Sequence, residues 1–212
     1  MCRLLYVRQK EEFKISYYLK RFAAIAEQSQ EYQGHGWGCA FLKNGQWTHY
    51  KNSLPVWKDD LERFGNSSLL IAHARSAFRD EHISVENNMP FYDGNYVFIF
   101  NGELHGVKIR ESGRIGAEKI FNFMKRFDRG NMQHALKKGR SILTERSRYI
   151  RAMNIIIASK EKVYVLSQFN ENPDYYTLHY KQTEDKLVIC SAPLDHETNW
   201  KTMANRTERV FG

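Results

Sequence analysis

The residues able to do chemistry begin at the second position. Met1 is followed by Cys2, a small side chain, so removal of Met1 by a methionine aminopeptidase is expected. The new terminus would carry a thiol beside a free α-amine. Free α-amines titrate at about 7.7–8.0 and free thiols at about 8.5, so the amine can accept the thiol proton near neutrality, directly or through one water. The ordinary alternative is a near-terminal Cys buried in a strand. A second candidate is the apolar run Phe98-Ile99-Phe100 leading into Asn101-Gly102. Attack on a carboxamide creates an oxyanion, and an Asn amide with the next backbone N–H can supply two donors to it. Losing one such donor costs about 2.7–4 kcal/mol of barrier. The alternative for Asn-Gly is a hairpin turn. In Ile71-Ala72-His73-Ala74-Arg75 the guanidinium of Arg75 closes a buried strand. There it can grip a substrate carboxylate through two parallel hydrogen bonds, or form a structural ion pair. His73 reads first as a hydrogen-bonded core histidine. In Gly34-His35-Gly36-Trp37-Gly38, three glycines around Trp37 indicate close backbone approach. No Lys-Ser or Lys-Thr follows, so phosphate binding is not indicated.

The elements that must position these residues follow from periodicity. Leu4–Val7 predicts a strand and Tyr17–Ala26 a helix, with Tyr18, Phe22 and Ile25 at helical spacing. Trp37–Leu42 and Gln46–Tyr50 predict a hairpin turning at Asn44-Gly45. Residues 56–64 predict a short helix, 68–73 and 96–100 strands, and 117–127 and 132–143 two helices. Strands are expected at 153–159, 162–168, 176–181 and 186–192. Strands, then paired helices, then more strands do not alternate as a doubly wound parallel sheet would. Two mainly antiparallel sheets with helices outside fit better.

Composition narrows the class. The 212 residues are 42% hydrophobic without repeats or linkers, so one domain over 1–212 is the expectation. Three cysteines, Cys2, Cys39 and Cys190, with no secretory leader, argue against a disulfide framework and for the cytoplasm. The net charge of +8 raises an acidic partner, and Lys137, Lys138, Arg140, Arg146, Arg148 and Arg151 form the densest basic cluster. Helical spacing spreads these over several faces and no nucleic-acid motif accompanies them. Nucleic acid and membrane are therefore not expected partners, and no cofactor or metal is expected.

Taken in order, the fragments resemble the class II glutamine amidotransferases, the N-terminal-nucleophile type with an initiator Cys, and within them the small stand-alone branch. They are Met1-Cys2-Arg3-Leu4-Leu5, His35-Gly36-Trp37-Gly38, His73-Ala74-Arg75, Glu86-Asn87-Asn88-Met89-Pro90-Phe91, Asn101-Gly102-Glu103-Leu104, Glu118 and Glu197-Thr198-Asn199-Trp200. The resemblance implies an α+β fold, a four-layer αββα sandwich of two mainly antiparallel sheets. It implies Cys2 as nucleophile, Asn101 with Gly102 as oxyanion hole, and Arg75 on the substrate α-carboxylate. His73, Trp37 and Gly38 join Arg75 in the substrate-binding set. Three positions depart from the family pattern. Gly116 stands where an Asp usually holds the glutamine ammonium, so another acid such as Glu103 substitutes or the substrate is not free glutamine. Arg114 beside it disfavours an ammonium. Met89 replaces a His and His35 an Asp.

The expected function is cleavage of the side-chain amide of glutamine or a γ-glutamyl compound through a Cys2 thioester. Ammonia or an amine is released, or passed to a separate synthase protein. The alternatives are a non-catalytic ligand-binding or regulatory module on the same fold, motivated by Gly116, and an acidic-partner binder, motivated only by charge.

Overall fold

A computed structural model describes residues 1–195 and 198–212 in two compact units, 1–90 with 177–203 and 91–176 with 204–212. The first unit holds β1 (Arg3–Lys14), α1 (Ile15–Glu27), β2 (Trp37–Lys43), β3 (Gln46–Asn52) and β4 (Asn66–Ala74). The second adds β5 (Phe91–Tyr92), β6 (Val97–His105), α2 (Gly116–Lys125), α3 (Met132–Arg146), β7 (Tyr149–Ala158), β8 (Val163–Ser167) and α4 (Pro173–Tyr176). The chain returns to the first unit for β9 (His179–Gln182), β10 (Lys186–Cys190) and β11 (Lys201–Thr202), and ends in the second with β12 (Thr207–Phe211). The sheets run β11-β9-β10-β1-β4-β2-β3 and β12-β8-β7-β6-β5, with antiparallel neighbours throughout. The α+β class with two antiparallel sheets is thus the one read from the sequence.

In the first unit β1 is central. Leu5 and Val7 join a core with Ile15, Tyr18, Leu19 and Phe22 of α1, whose apolar residues fall on one helical face. Leu4 and Tyr6 point the other way and are fully buried too. That explains the near-continuous apolar run at the start of β1, since burial on both faces removes the need for alternation. The β2–β3 turn is as expected, with Asn44 at φ 50° and Gly45 at φ 70°.

The expected helix over 56–64 is instead two short 3₁₀ turns, Val56–Lys58 and Leu61–Phe64, broken at an extended Asp59. The carboxylate of Asp59 explains the break. It accepts from Trp37 Nε1 (2.9 Å), Tyr50 Oη (2.8 Å), Asn52 Nδ2 (2.7 Å) and Arg63 Nη2 (2.7 Å), which draws it inward.

In the second unit Phe98 and Phe100 face α2, with Phe98 stacked on Phe121 at 4.8 Å. Val97, Ile99 and Asn101 alternate onto the opposite face and are fully buried. The Asn131 side chain caps α3 by accepting from His134 N (3.0 Å). The basic cluster is dispersed among separate partners: Arg140 pairs with Glu208 and Gln168, Arg151 with Glu103 and Glu171, and Lys138 lies over Phe127. Among the described residues no helix is long and apolar enough to cross a membrane.

Candidate functional site

In the first unit, strand register gathers most of the expected residues at one end of the sheet. Arg3 and Trp37 both pair with Ala74, and Leu4 and Gly38 both pair with His73. Cys2 therefore sits at the β1 start, beside the β4 end that leads into Arg75. Its Sγ contacts Ser76 O at 3.6 Å. Burial pushes the thiol above its ordinary pKa, while the terminal ammonium, the Ser76 contact and Arg75 pull it back towards thiolate. Cys39 and Cys190 are sealed in the core, and burial raises both, Cys190 to about 11.

Arg75 follows β4 directly and its backbone continues the ladder, with its N–H on Gly36 O (2.9 Å) and His35 N–H on its carbonyl (3.1 Å). The guanidinium is buried at 5% exposure. It donates to His82 O (2.9 Å), Asn88 Oδ1 (3.3 Å) and Ser84 O (3.5 Å). A guanidinium has five N–H donors. Nε–H and one Nη2–H meet no acceptor among the described residues, so two donors are spare for an anion such as a carboxylate. The Glu86–Phe91 motif thereby gains a role that the sequence did not suggest. Asn88 braces Arg75 and donates to Asn52 O (2.8 Å), and Asn87 donates to His82 O (3.0 Å).

The glycines of residues 34–38 mark close approach, as expected. Gly36 sits at φ 104°. A side chain there would strike the Asn88 amide and come within 2.7 Å of Asn52 O, and one at Gly38 would lie 2.6 Å from Met89 O and 2.8 Å from Tyr50 O. His35 accepts from Ala77 N at Nδ1 (2.9 Å) and directs Nε2 to Asp80 at 3.5 Å. Burial lowers its pKa, against the pull of Asp80.

One of the substrate-binding expectations changes. The Trp37 indole lies wholly in the core under α1, against Tyr50 and Phe64, with its N–H spent on Asp59. Its side chain is a structural group, because odd positions of β2 face the helix. His73 is fully buried in the sheet, on the face opposite α1.

In the second unit Asn101 and Gly102 lie inside β6, in register with Asn154 and Met153 of β7. The turn alternative therefore fails, because the strand continues to His105. Asn101 has no exposure, and neither its Nδ2 nor its Oδ1 has a hydrogen-bond partner among the described residues. Its cross-strand neighbour Asn154 is equally buried but satisfied, donating to Tyr176 O (2.7 Å) and accepting from Gln168 N (3.2 Å). A side chain at Gly102 would strike Ala152 O and the Phe100 ring.

The Glu103 carboxylate, the expected substitute acid, is engaged by His105 Nε2 (2.6 Å) and Arg151 Nη1 (3.3 Å). Gly116 opens α2, and the space beside it is open. The charge of Arg114 is neutralised by Glu118 (2.6–3.1 Å), so it opposes an ammonium less than the sequence suggested. Glu197 of the last motif lies outside the described residues. A groove of about 440 Å³ between α1 and residues 57–62 is lined by none of the expected site residues. Among the described residues no cluster of three or more His, Cys, Asp or Glu is placed to hold a metal.

No family model matches the chain, and no curated protein matches it by sequence. Its fold does match solved structures. A glutamine aminotransferase class-II domain protein from Silicibacter pomeroyi is 14% identical with TM-score 0.64, over 100% of this chain and 95% of that one. A predicted glutamine amidotransferase from Pseudomonas aeruginosa PA01 is 16% identical with TM-score 0.62, over 99% and 97%. The glutamine phosphoribosylpyrophosphate amidotransferase from B. subtilis is 16% identical with TM-score 0.64, and 90% of this chain covers 42% of that one. At such identities the likeness is one of fold. The chain has the α+β fold of the class II glutamine amidotransferase domain proteins.

Proposed function

We propose that the chain, acting as one domain over 1–212, is an amidohydrolase of the glutamine amidotransferase type. Once Met1 is removed, the Cys2 thiol gives its proton to the Cys2 α-amine, and the thiolate attacks the side-chain carboxamide of glutamine or a γ-glutamyl compound. A C–S bond forms, and the oxyanion is received by the Asn101 amide and the Gly102 N–H. The C–N bond then breaks as the α-ammonium protonates the leaving amine. Water resolves the γ-glutamyl thioester to a carboxylate and restores the thiol. Arg75 is assigned to the substrate α-carboxylate. The released ammonia or amine goes to solvent or to a separate synthase.

The observation that carries this reading is the buried carboxamide of Asn101, which has no partner among the described residues. An unsatisfied buried polar group costs about 1–3 kcal/mol, a cost that folding alone gives no reason to keep. An oxyanion would use the donor. The fold adds support, because neighbours named as a glutamine aminotransferase class-II domain protein and a predicted glutamine amidotransferase align with nearly the whole chain. The test is ammonia release from glutamine and from γ-glutamyl amides by wild type and by Cys2→Ala. Turnover by wild type that Cys2→Ala abolishes is expected. Equal rates for the two proteins would overturn the assignment. A non-catalytic binding or regulatory module remains the second reading, favoured by Gly116, which gives α2 no carboxylate at its first position. Turnover of any substrate removes it.

A further inference from the structure

The proposed mechanism needs the Cys2 α-amine held in one place while it takes up and returns a proton, and residues 29–35 supply a group for this. With Met1 in place, its ammonium pairs with the Glu31 carboxylate. Gln33 Nε2 donates both to Met1 O (2.5 Å) and to Glu31 O (2.8 Å), tying that segment to the Met1–Cys2 peptide. The Met1 side chain is 9% exposed, so the terminus is seated rather than trailing. Cys2 is fixed independently from its other side. Arg3 donates to Ser29 Oγ (3.1 Å) and Ser191 O (3.2 Å), Leu4 N to Ser191 Oγ (3.0 Å), and Cys2 Sγ contacts Ser76 O.

Removing Met1 leaves these anchors intact. The new ammonium then forms within about one residue's span, ~3.8 Å, of the one Glu31 now holds. We propose that Glu31 is the positioning residue for the Cys2 α-amine, its carboxylate passing from the Met1 ammonium to the Cys2 ammonium after excision. This rests on the reading of Cys2 as a terminal nucleophile. The other charged groups around the terminus are Arg3 on β1, Arg75 after β4, and His35 with its partner Asp80. Both arginines are positive, and Glu31 carries the negative charge that pairs with the terminus. Glu31 also acts on the thiol, raising its pKa where the terminal ammonium lowers it. Pairing Glu31 with the ammonium offsets that penalty and keeps a proton ready for the leaving amine.

The test is a pH titration of the Cys2 α-nitrogen resonance in ¹⁵N-cysteine-labelled protein, for wild type, Glu31→Gln and Glu31→Asp, with intact mass recorded for each. Cys39 and Cys190 lie within β2 and β10 and supply non-titrating amide signals as internal controls. The expected midpoint for Glu31→Gln is at least about one pH unit below wild type, with Glu31→Asp close to wild type. Midpoints for wild type and Glu31→Gln that agree within ~0.2 unit would overturn the role of Glu31 and leave the Cys2 reading standing. Retention of Met1 in the wild-type mass would overturn both.

Discussion

Replacing Asn101 by Leu separates a catalytic role from a structural one, because the two predict opposite signs for stability. Leu matches Asn in shape but carries no polar atoms. The Asn101 amide is fully buried, and both of its polar atoms lack a partner among the described residues. Asn101→Leu removes that desolvation cost without orphaning another group. The expected gain is about 1–3 kcal/mol, the cost of one unsatisfied buried group. For a chain of this size each kcal/mol moves Tm by about 2–4 °C. Hydrolysis should fall about 10²–10³-fold, the effect of losing one oxyanion donor. Asn154→Leu is the control one strand away. It would orphan Tyr176 O and Gln168 N, and should destabilise by at least about 2 kcal/mol. Urea unfolding and kcat/KM for ammonia release on both variants decide the matter. An Asn101→Leu protein that is less stable than wild type by more than about 1 kcal/mol, yet fully active, would refute the reasoning.

Further outcomes follow from the same geometry. Gly116→Asp enters open space, so Tm should hold while KM for free glutamine falls about 10-fold, the worth of one hydrogen bond to a charged group. An unchanged KM would show that position 116 does not face the ammonium. Gly38→Ala forces a methyl against the carbonyls of Met89 and Tyr50 and should cost about 1–3 kcal/mol in urea unfolding, since backbone cannot move aside cheaply. Burial of Asp59 works to raise its pKa, but hydrogen bonds from Tyr50, Asn52, Trp37 and the Asp60 N–H outweigh it and hold the carboxyl below its ordinary value. A depressed folded pKa gives stability that is present above the unfolded value of about 3.9 and lost as pH falls through the folded one. Unfolding measured from pH 6 down to pH 2 should therefore show a loss of stability below about pH 4 that Asp59→Asn flattens.

What could be read in the sequence was local. The β2–β3 hairpin was legible because Asn44 and Gly45 tolerate the positive φ that the turn requires. Helix α1 was legible because its apolar spacing is set by one buried face. The stretch at 56–64 misled because the four side-chain donors that break it, on Asp59, include three from β2 and β3. Strand β12 pairs at a sheet edge with the distant β8, and no turn signal links the two, while β5 is only two residues long although it closes a hairpin onto β6. Tyr176 reads as the start of a strand, yet Asn172 at φ 45° and Pro173 at the first helical position turn the chain into α4. Among the candidate site residues, Cys2, Arg75, Asn101 and Gly102 stood out as chemical types in suggestive surroundings. Glu31 did not, because its contact with the terminus spans 30 residues. Trp37 was misassigned because the glycines flanking it mark close backbone approach and say nothing about which face the indole takes.

The central claim is that Cys2 is a terminal nucleophile acting on a glutamine-like carboxamide. Intact-mass and peptide mass spectrometry after treatment with a γ-diazoketone analogue of glutamine test it most directly. The account predicts loss of one Met and a single adduct on Cys2, blocked by excess substrate and unchanged in yield by removing Cys39 or Cys190. A protein that keeps Met1, stays unlabelled, or carries its adduct on another residue would contradict it.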